Sequence, residues 1–235
     1  FEAMSGLTTT GSTIITGLDN APPGILIWRA LLQWFGGIGI VVMAVAVLPM
    51  LQVGGMQVFK AESFDTVEKI LPRAGQISGV ISGTYVALTA LCMFAYLIAG
   101  MGAFDALAHA MTTIATGGFS TSDLSIGKFD SFAIDMLATF FMIVGSIPFI
   151  LYLQVLRGKP LALWRDEQVR GFLKLVFFLC VAVVSWLIIW KGFSLYEAVR
   201  YGIFNIISVL TGTGYATADY SQWGSFSATL FFMVM

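Results

Sequence analysis

The chain has 235 residues, of which 58% are hydrophobic and only 11% charged, with a formal net charge of −1. Soluble domains carry about 25% charged residues, so this composition, with a mean hydropathy of +0.89, excludes an ordinary soluble domain, a disordered chain and a nucleic-acid binder with a basic face. A net charge so near zero sets up no field that would select a polyanionic partner.

In chain order, the first element is a short apolar turn closing on Thr/Gly, Ala3-Met4-Ser5-Gly6-Leu7-Thr8-Thr9-Thr10-Gly11-Ser12. A span follows at 25–51, in which residues 31–51 are free of charge. A linker carrying Lys60 and Lys69 with Arg73 beside it leads to a second span at 71–100, set in a charge-free run over 74–104. Next comes a second Thr/Gly segment, Ala110-Met111-Thr112-Thr113-Ile114-Ala115-Thr116-Gly117-Gly118-Phe119, and then a span at 132–156. Pro148 lies inside that span and is expected to kink it. A second basic linker holds Arg157, Lys159 and Arg165, with Arg170 and Lys174 next to it, and a span at 169–190 follows. The third Thr/Gly segment is Ile206-Ile207-Ser208-Val209-Leu210-Thr211-Gly212-Thr213-Gly214-Tyr215, and an apolar run opens at Trp223. A hydrocarbon core about 30 Å thick takes roughly 20 apolar residues per helix, so the chain reads as an all-α integral membrane protein. It opens inside a motif at Phe1 and ends inside an apolar run at Met235, which reads as an internal fragment of a longer protein.

The three Thr/Gly segments are copies of one pattern, closing on Gly11, Gly118 and Gly214 at spacings of 107 and 96 residues. A period near one hundred suits a unit of helix, re-entrant loop and helix. The chain then divides into the end of a first unit (1–51), a linker (52–70), a second unit (71–156), a linker (157–168) and a truncated third unit (169–235). The two basic linkers and their borders hold 8 of the 12 Lys and Arg residues, which puts them in the cytoplasm and the three copies on the outer side. Irregular backbone at membrane depth is tolerated only where protein buries it or where it lines a watery path. Three such stretches point to one shared path, in which carbonyl and hydroxyl oxygens replace the water around a monovalent cation.

The pattern resembles the Trk/Ktr/HKT superfamily of potassium transporters, its bacterial Trk branch most of all. The resemblance is carried by Phe1-Glu2-Ala3-Met4-Ser5-Gly6-Leu7-Thr8-Thr9-Thr10-Gly11, by Trp34-Phe35-Gly36-Gly37-Ile38-Gly39, by His109 through Thr121 and by Leu210 through Tyr220. It implies repeated helix–pore loop–helix units around a pseudo-fourfold, potassium-channel-like pore. It implies a selectivity filter at Thr9, Thr10 and Gly11, at Thr116, Gly117 and Gly118, and at Gly212, Thr213 and Gly214, with potassium bound only there. Gly11, where sodium-permeable members tend to carry serine, favours potassium. The resemblance further implies a homodimer in the bacterial inner membrane, gated by a cytosolic TrkA-type nucleotide-binding ring. The chain carries no nucleotide-binding motif and no cofactor is expected. Alternatives left open are a sodium-permeable pore and a proton- or sodium-coupled secondary transporter. One histidine, two separated cysteines and no paired carboxylates within the spans leave no enzymatic nucleophile–base set.

Glu2, His109 and Asn205 each stand nine residues before their loop glycine. They are expected to support the pore helix by hydrogen bonding rather than to touch the ion. Gly75, Gly79 and Gly83 have the small-xxx-small spacing of close helix packing. Arg200 and Glu197, three apart, are expected to pair along one helix face. Arg29 and Gln33 are expected to reach toward water or a loop carboxylate. Asp135 is expected at the outer interface, and Asp105 at the N-terminus of the second pore helix.

Overall fold

The computed structural model describes residues 1–43 and 74–235. The end of the first span and the linker at 52–70, with Lys60, Lys69 and Arg73, lie outside the described residues. Every regular element among the described residues is helical. Helix α1 (Glu2–Leu7) leads through the first loop to α2 (Pro23–Val42), which starts with proline at its first position, where the missing N–H leaves no bond unmade. Helix α3 (Ala74–Ile98) runs to the left-handed Gly100, and α4 (Ala103–Ile114) leads into the second loop. Helices α5 (Phe132–Gly145) and α6 (Phe149–Leu156) follow, and then α7 (Glu167–Lys191). The Asp166 carboxylate caps α7 by accepting from Val169 N at 3.0 Å, and the left-handed Gly192 closes it. A Ser194–Glu197 capping box then starts a turn at Leu195–Glu197, a π-helical turn at Ala198–Gly202 and α8 (Ile203–Leu210). Helix α9 (Ser225–Val234) ends the described chain.

Ser78–Ile98 and Glu167–Lys191 are long and apolar enough to cross a membrane. The α5–α6 pair meets the same test only as a broken span, bent by 91° at the Ile147–Pro148 junction. The single long span expected over 132–156 is therefore a corner, and the bend is far sharper than a proline kink in a continuous helix. Three residues separate the two helices, and Pro148 caps the second. Tyr152 Oη donates to the carbonyl of Val144 at 2.7 Å, satisfying one of the groups the break frees.

The core joins α3, α4, α5, α7 and α8 through Cys92, Tyr96, Ala106, Met142, Val183 and Phe204. The outward face of α7 is the reverse: Phe177, Phe178, Ile189 and Trp190 are each more than 60% exposed. Apolar surface on that scale suits a lipid solvent and not water. Gly79 and Gly83 face open space, since a β-carbon on either would meet nothing within 4 Å among the described residues. A partner for the close helix contact expected from their spacing is not among the described residues.

Candidate functional site

The three Thr/Gly segments share one backbone course. Each short helix passes into a residue with a left-handed backbone, Thr9 (φ 55°), Thr116 (φ 49°) and Gly212 (φ 72°). The chain then crosses one residue of ordinary hand and reaches the glycine, Gly11 (φ 78°), Gly118 (φ 79°) or Gly214 (φ 81°). In the first two copies the N–H after the left-handed residue turns back onto the helix, from Thr10 N to Ser5 O at 3.0 Å and from Gly117 N to Thr112 O at 2.9 Å. This satisfies carbonyls that the helix end leaves free. A β-branched residue in the left-handed region is an outlier that costs about 1–2 kcal/mol, and both threonines sit there.

The loops are stacked against one another in order. A β-carbon on Gly11 would overlap the carbonyl oxygen of Gly117, and one on Gly118 would overlap the carbonyl oxygen of Thr213. The same step thus joins loop one to two and loop two to three, each glycine meeting the carbonyl just before the next. Gly36 of α2 lies against the Leu7 carbonyl at the end of α1 just as tightly.

Glu2, His109 and Asn205, on the three short helices, each bond to their own loop just beyond its glycine. The Glu2 carboxylate accepts from Thr13 Oγ1 at 2.8 Å and from Ile14 N at 3.2 Å. His109 Nδ1 donates to the Asp105 carbonyl at 2.8 Å, and Nε2 is hydrogen-bonded to Ser120 Oγ at 3.0 Å. Asn205 donates to Thr217 Oγ1 at 3.0 Å and accepts from Thr217 N at 3.3 Å.

Cross-links between units complete the site. Tyr215, next to Gly214, sends its hydroxyl to α4, where it bonds Thr112 Oγ1 and donates to the His109 carbonyl at 3.3 Å. Phe119 holds the equivalent place after Gly118, and the Arg29 guanidinium lies 4.2 Å from its ring centroid. Arg29 and Gln33 do not reach water. They are 1% and 0% exposed. Arg29 Nε donates to Glu2 at 2.7 Å and its terminal nitrogens to Ser120 O at 3.0 Å and Thr13 Oγ1 at 3.2 Å. Gln33 donates to Gly117 O at 2.6 Å and accepts from Phe119 N at 3.0 Å.

Comparison with known proteins adds to this geometry. The family model described as TrkH, cation transport protein, matches residues 1–235. The chain belongs to the TrkH family. It is 42% identical to the Trk system potassium uptake protein TrkI of Halomonas elongata, over 99% of this chain and 47% of that protein. It is 40% identical to the Trk system potassium uptake protein TrkH of Escherichia coli K12, over 98% of this chain and 48% of that protein. The crystal structure of the potassium transporter TrkH from Vibrio parahaemolyticus superposes with a TM-score of 0.87 at 36% identity, covering all of this chain and 48% of that one. The chain thus spans about half the length of the relatives it matches.

In this TrkH-family chain one sequence expectation about charge is corrected. Arg200 does not pair with Glu197, which instead bonds Ser194 in the capping box. Arg200 Nε lies 2.6 Å from Asp135 in the first turn of α5, and a terminal nitrogen lies 2.9 Å from Asp130, just before that helix. Asp135 is buried. Asp105 does stand in the first turn of α4, where it accepts from Thr121 Oγ1 at 2.6 Å. Sequence reasoning offered Arg29 and Gln33 water or a loop carboxylate; Arg29 takes the Glu2 carboxylate at the start of α1 together with loop oxygens, and the Gln33 bonds to the loop backbone were not foreseen. The signal available was a cation and an amide one turn apart in an apolar helix, a pairing that lipid would not tolerate without polar partners.

Proposed function

We propose that this chain forms three consecutive quarters of a potassium path through the bacterial inner membrane, within the pore-forming subunit of a Trk-type uptake system. The observation that carries the reading is the repeated loop geometry. Three segments alternate the sign of φ at the same three positions and are stepped glycine to carbonyl. In an ordinary strand successive carbonyls alternate sides. Reversing φ at every second residue lets them face one way, as a carbonyl-lined cation site requires. The ion-binding groups would be the backbone oxygens of Thr9, Thr10, Thr116, Gly117, Gly212 and Thr213, with Gly11, Gly118 and Gly214 allowing the turn. Glu2, His109 and Asn205 act from behind as supports.

Selection by fixed oxygens needs no covalent chemistry and no cofactor. The names of the relatives, potassium uptake proteins of Trk systems, favour potassium as the ion over sodium. Assembly as a homodimer surrounded by lipid, and gating by a cytosolic TrkA-type nucleotide-binding ring, belong to the same proposal. The basic residues Arg157, Lys159 and Arg165 would face that ring.

The test is complementation. The full-length protein is expressed in bacteria that lack their own potassium uptake, with the regulatory subunit present, and net uptake is measured at low external potassium. Wild type restores uptake. Gly118→Asp, at equal membrane yield, abolishes it, because a side chain there meets the Thr213 carbonyl and a left-handed backbone disfavours any residue but glycine. Undiminished uptake in that variant would remove the second loop from the path.

A further inference from the structure

The second loop differs from its neighbours at one position. The residue before the loop glycine is threonine in the first and third copies, Thr10 and Thr213, but glycine in the second, Gly117. Two consecutive glycines leave the peptide between them without any side chain to restrict its rotation. That peptide carries the Gly117 carbonyl, one of the oxygens assigned above to the ion.

The space a side chain at 117 would take is occupied by another residue. A β-carbon on Gly117 would overlap Gln33 Cδ and lie 2.5 Å from Oε1 and 2.7 Å from Nε2. The Gln33 amide lies flat against the loop and pairs with it as one peptide pairs with another in a sheet, donating to Gly117 O at 2.6 Å and accepting from Phe119 N at 3.0 Å. These two bonds bracket Gly118, so the peptide between Gly117 and Gly118 cannot turn over without breaking the first of them. A carbonyl oxygen has two lone pairs, so the bond from Gln33 orients the oxygen and leaves one pair free. One helical turn earlier, Arg29 holds a carbonyl three residues further along the same loop, Ser120 O, at 3.0 Å. Among the described residues, the corresponding carbonyls of Thr10 and Thr213 receive no side-chain donor.

We infer that Gln33, from the second helix of the first unit, is a positioning residue that fixes the Gly117–Gly118 peptide of the neighbouring loop and thereby sets how well that loop tells potassium from sodium. Gln33 and Gly117 form a complementary pair: the amide supplies across the unit boundary the restraint that Thr10 and Thr213 supply from within their own loops. The inference rests on the pore reading above and adds to it a residue outside the loops.

The experiment uses the full-length protein with its regulatory partner in the same uptake-deficient cells, measuring potassium and sodium uptake in parallel at matched membrane yield. Gln33→Met keeps the side-chain length and removes both hydrogen bonds. The expected result is a fall in the potassium-to-sodium ratio of roughly tenfold, the size that loss of one well-made hydrogen bond implies. Should that variant not reach the membrane, Gln33→Glu, which keeps the size and the acceptor for Phe119 N, carries the same expectation. Gly117→Thr alone is expected to lower membrane yield through its overlap with Gln33. Combined with Gln33→Ala it is expected to recover both yield and discrimination, which a side chain serving only to fill space would not do. An unchanged ratio in Gln33→Met or Gln33→Glu at normal yield, or a double variant no more selective than Gln33→Ala alone, overturns the inference. Gly118→Asp, run alongside, separates this from failure of the pore reading. If Gly118→Asp abolishes uptake while the Gln33 variants keep their ratio, only the role of Gln33 falls. If Gly118→Asp conducts, the pore reading falls with it.

Discussion

Arg29 is a residue on which polar groups of both the first and the second loop converge. It meets Glu2, Thr13, Ser120 and the Phe119 ring while itself 1% exposed. Desolvating a guanidinium and a carboxylate is expensive, and their mutual attraction offsets it only with good geometry and further hydrogen bonds. Here both partners have them. Arg29→Met is therefore expected to destabilise the protein by about 3–5 kcal/mol by leaving Glu2 buried without its cation. Thermal unfolding in detergent would read this as a lowered midpoint, and Glu2→Gln added to Arg29→Met should restore part of it. His109 is a weaker case of the same kind. It is buried and bonded at both nitrogens, so His109→Leu should lower folded yield more than it changes ion preference. A large change in preference at full yield would instead move His109 into the path.

At the scale of single elements, the boundaries of the helices follow local chemistry. The Asp166 cap is a single hydrogen bond at the start of α7. Asp166→Ala is expected to cost about 1 kcal/mol, visible as faster hydrogen exchange at the amides of the first turn with the middle of the helix unchanged. Sequence reading located the two long apolar helices, expected at 71–100 and 169–190, because a charge-free run is itself the requirement for crossing lipid. It also found the break at Pro148, since proline removes a donor wherever it stands. It did not give the 91° angle, which depends on what the two halves pack against. The small-residue stripe at Gly79 and Gly83 meets no neighbour among the described residues. Spacing shows that a close approach is possible, and only a partner makes it real.

For the whole molecule, what the sequence could not show is mostly contact between units. The post from each pore helix to its own loop spans only 11 or 12 residues, and the repeat alone pointed to it. The bond from Gln33 to Gly117 spans 84 residues and that from Arg200 to Asp135 spans 65, and no local pattern encodes either. The outer surface has its own tie between the first and second units. Asp19 meets Lys128 at 2.9 Å, Ser122 Oγ at 2.9 Å and the Asp123 amide at 3.3 Å, while Asp123 accepts from the Gly17 and Leu18 amides. Lys128 beside it, then the Ser122 hydroxyl, hold the Asp19 carboxyl below the ordinary carboxylate range. A carboxylate whose pKa folding lowers stabilises the fold above its unfolded value, and that contribution disappears as pH falls through the lowered value. Asp19→Asn should thus be less stable than the wild type at neutral pH, and the two melting temperatures should converge in acid. A difference that stayed constant down to strongly acidic pH would mean the tie does not work through charge.

The stepping of one loop onto the next has a consequence for how such a protein can vary. In a pore made from four identical chains, every replacement is made four times, and a change of about 1 kcal/mol becomes about 4. Here the glycine-to-carbonyl steps join loops of a single polypeptide whose sequences already differ, with Thr10, Gly117 and Thr213 at one equivalent position. A mutation alters one sector and leaves the others as they were. Small adjustments therefore remain small, and a neighbour's side chain can make good what one sector has lost.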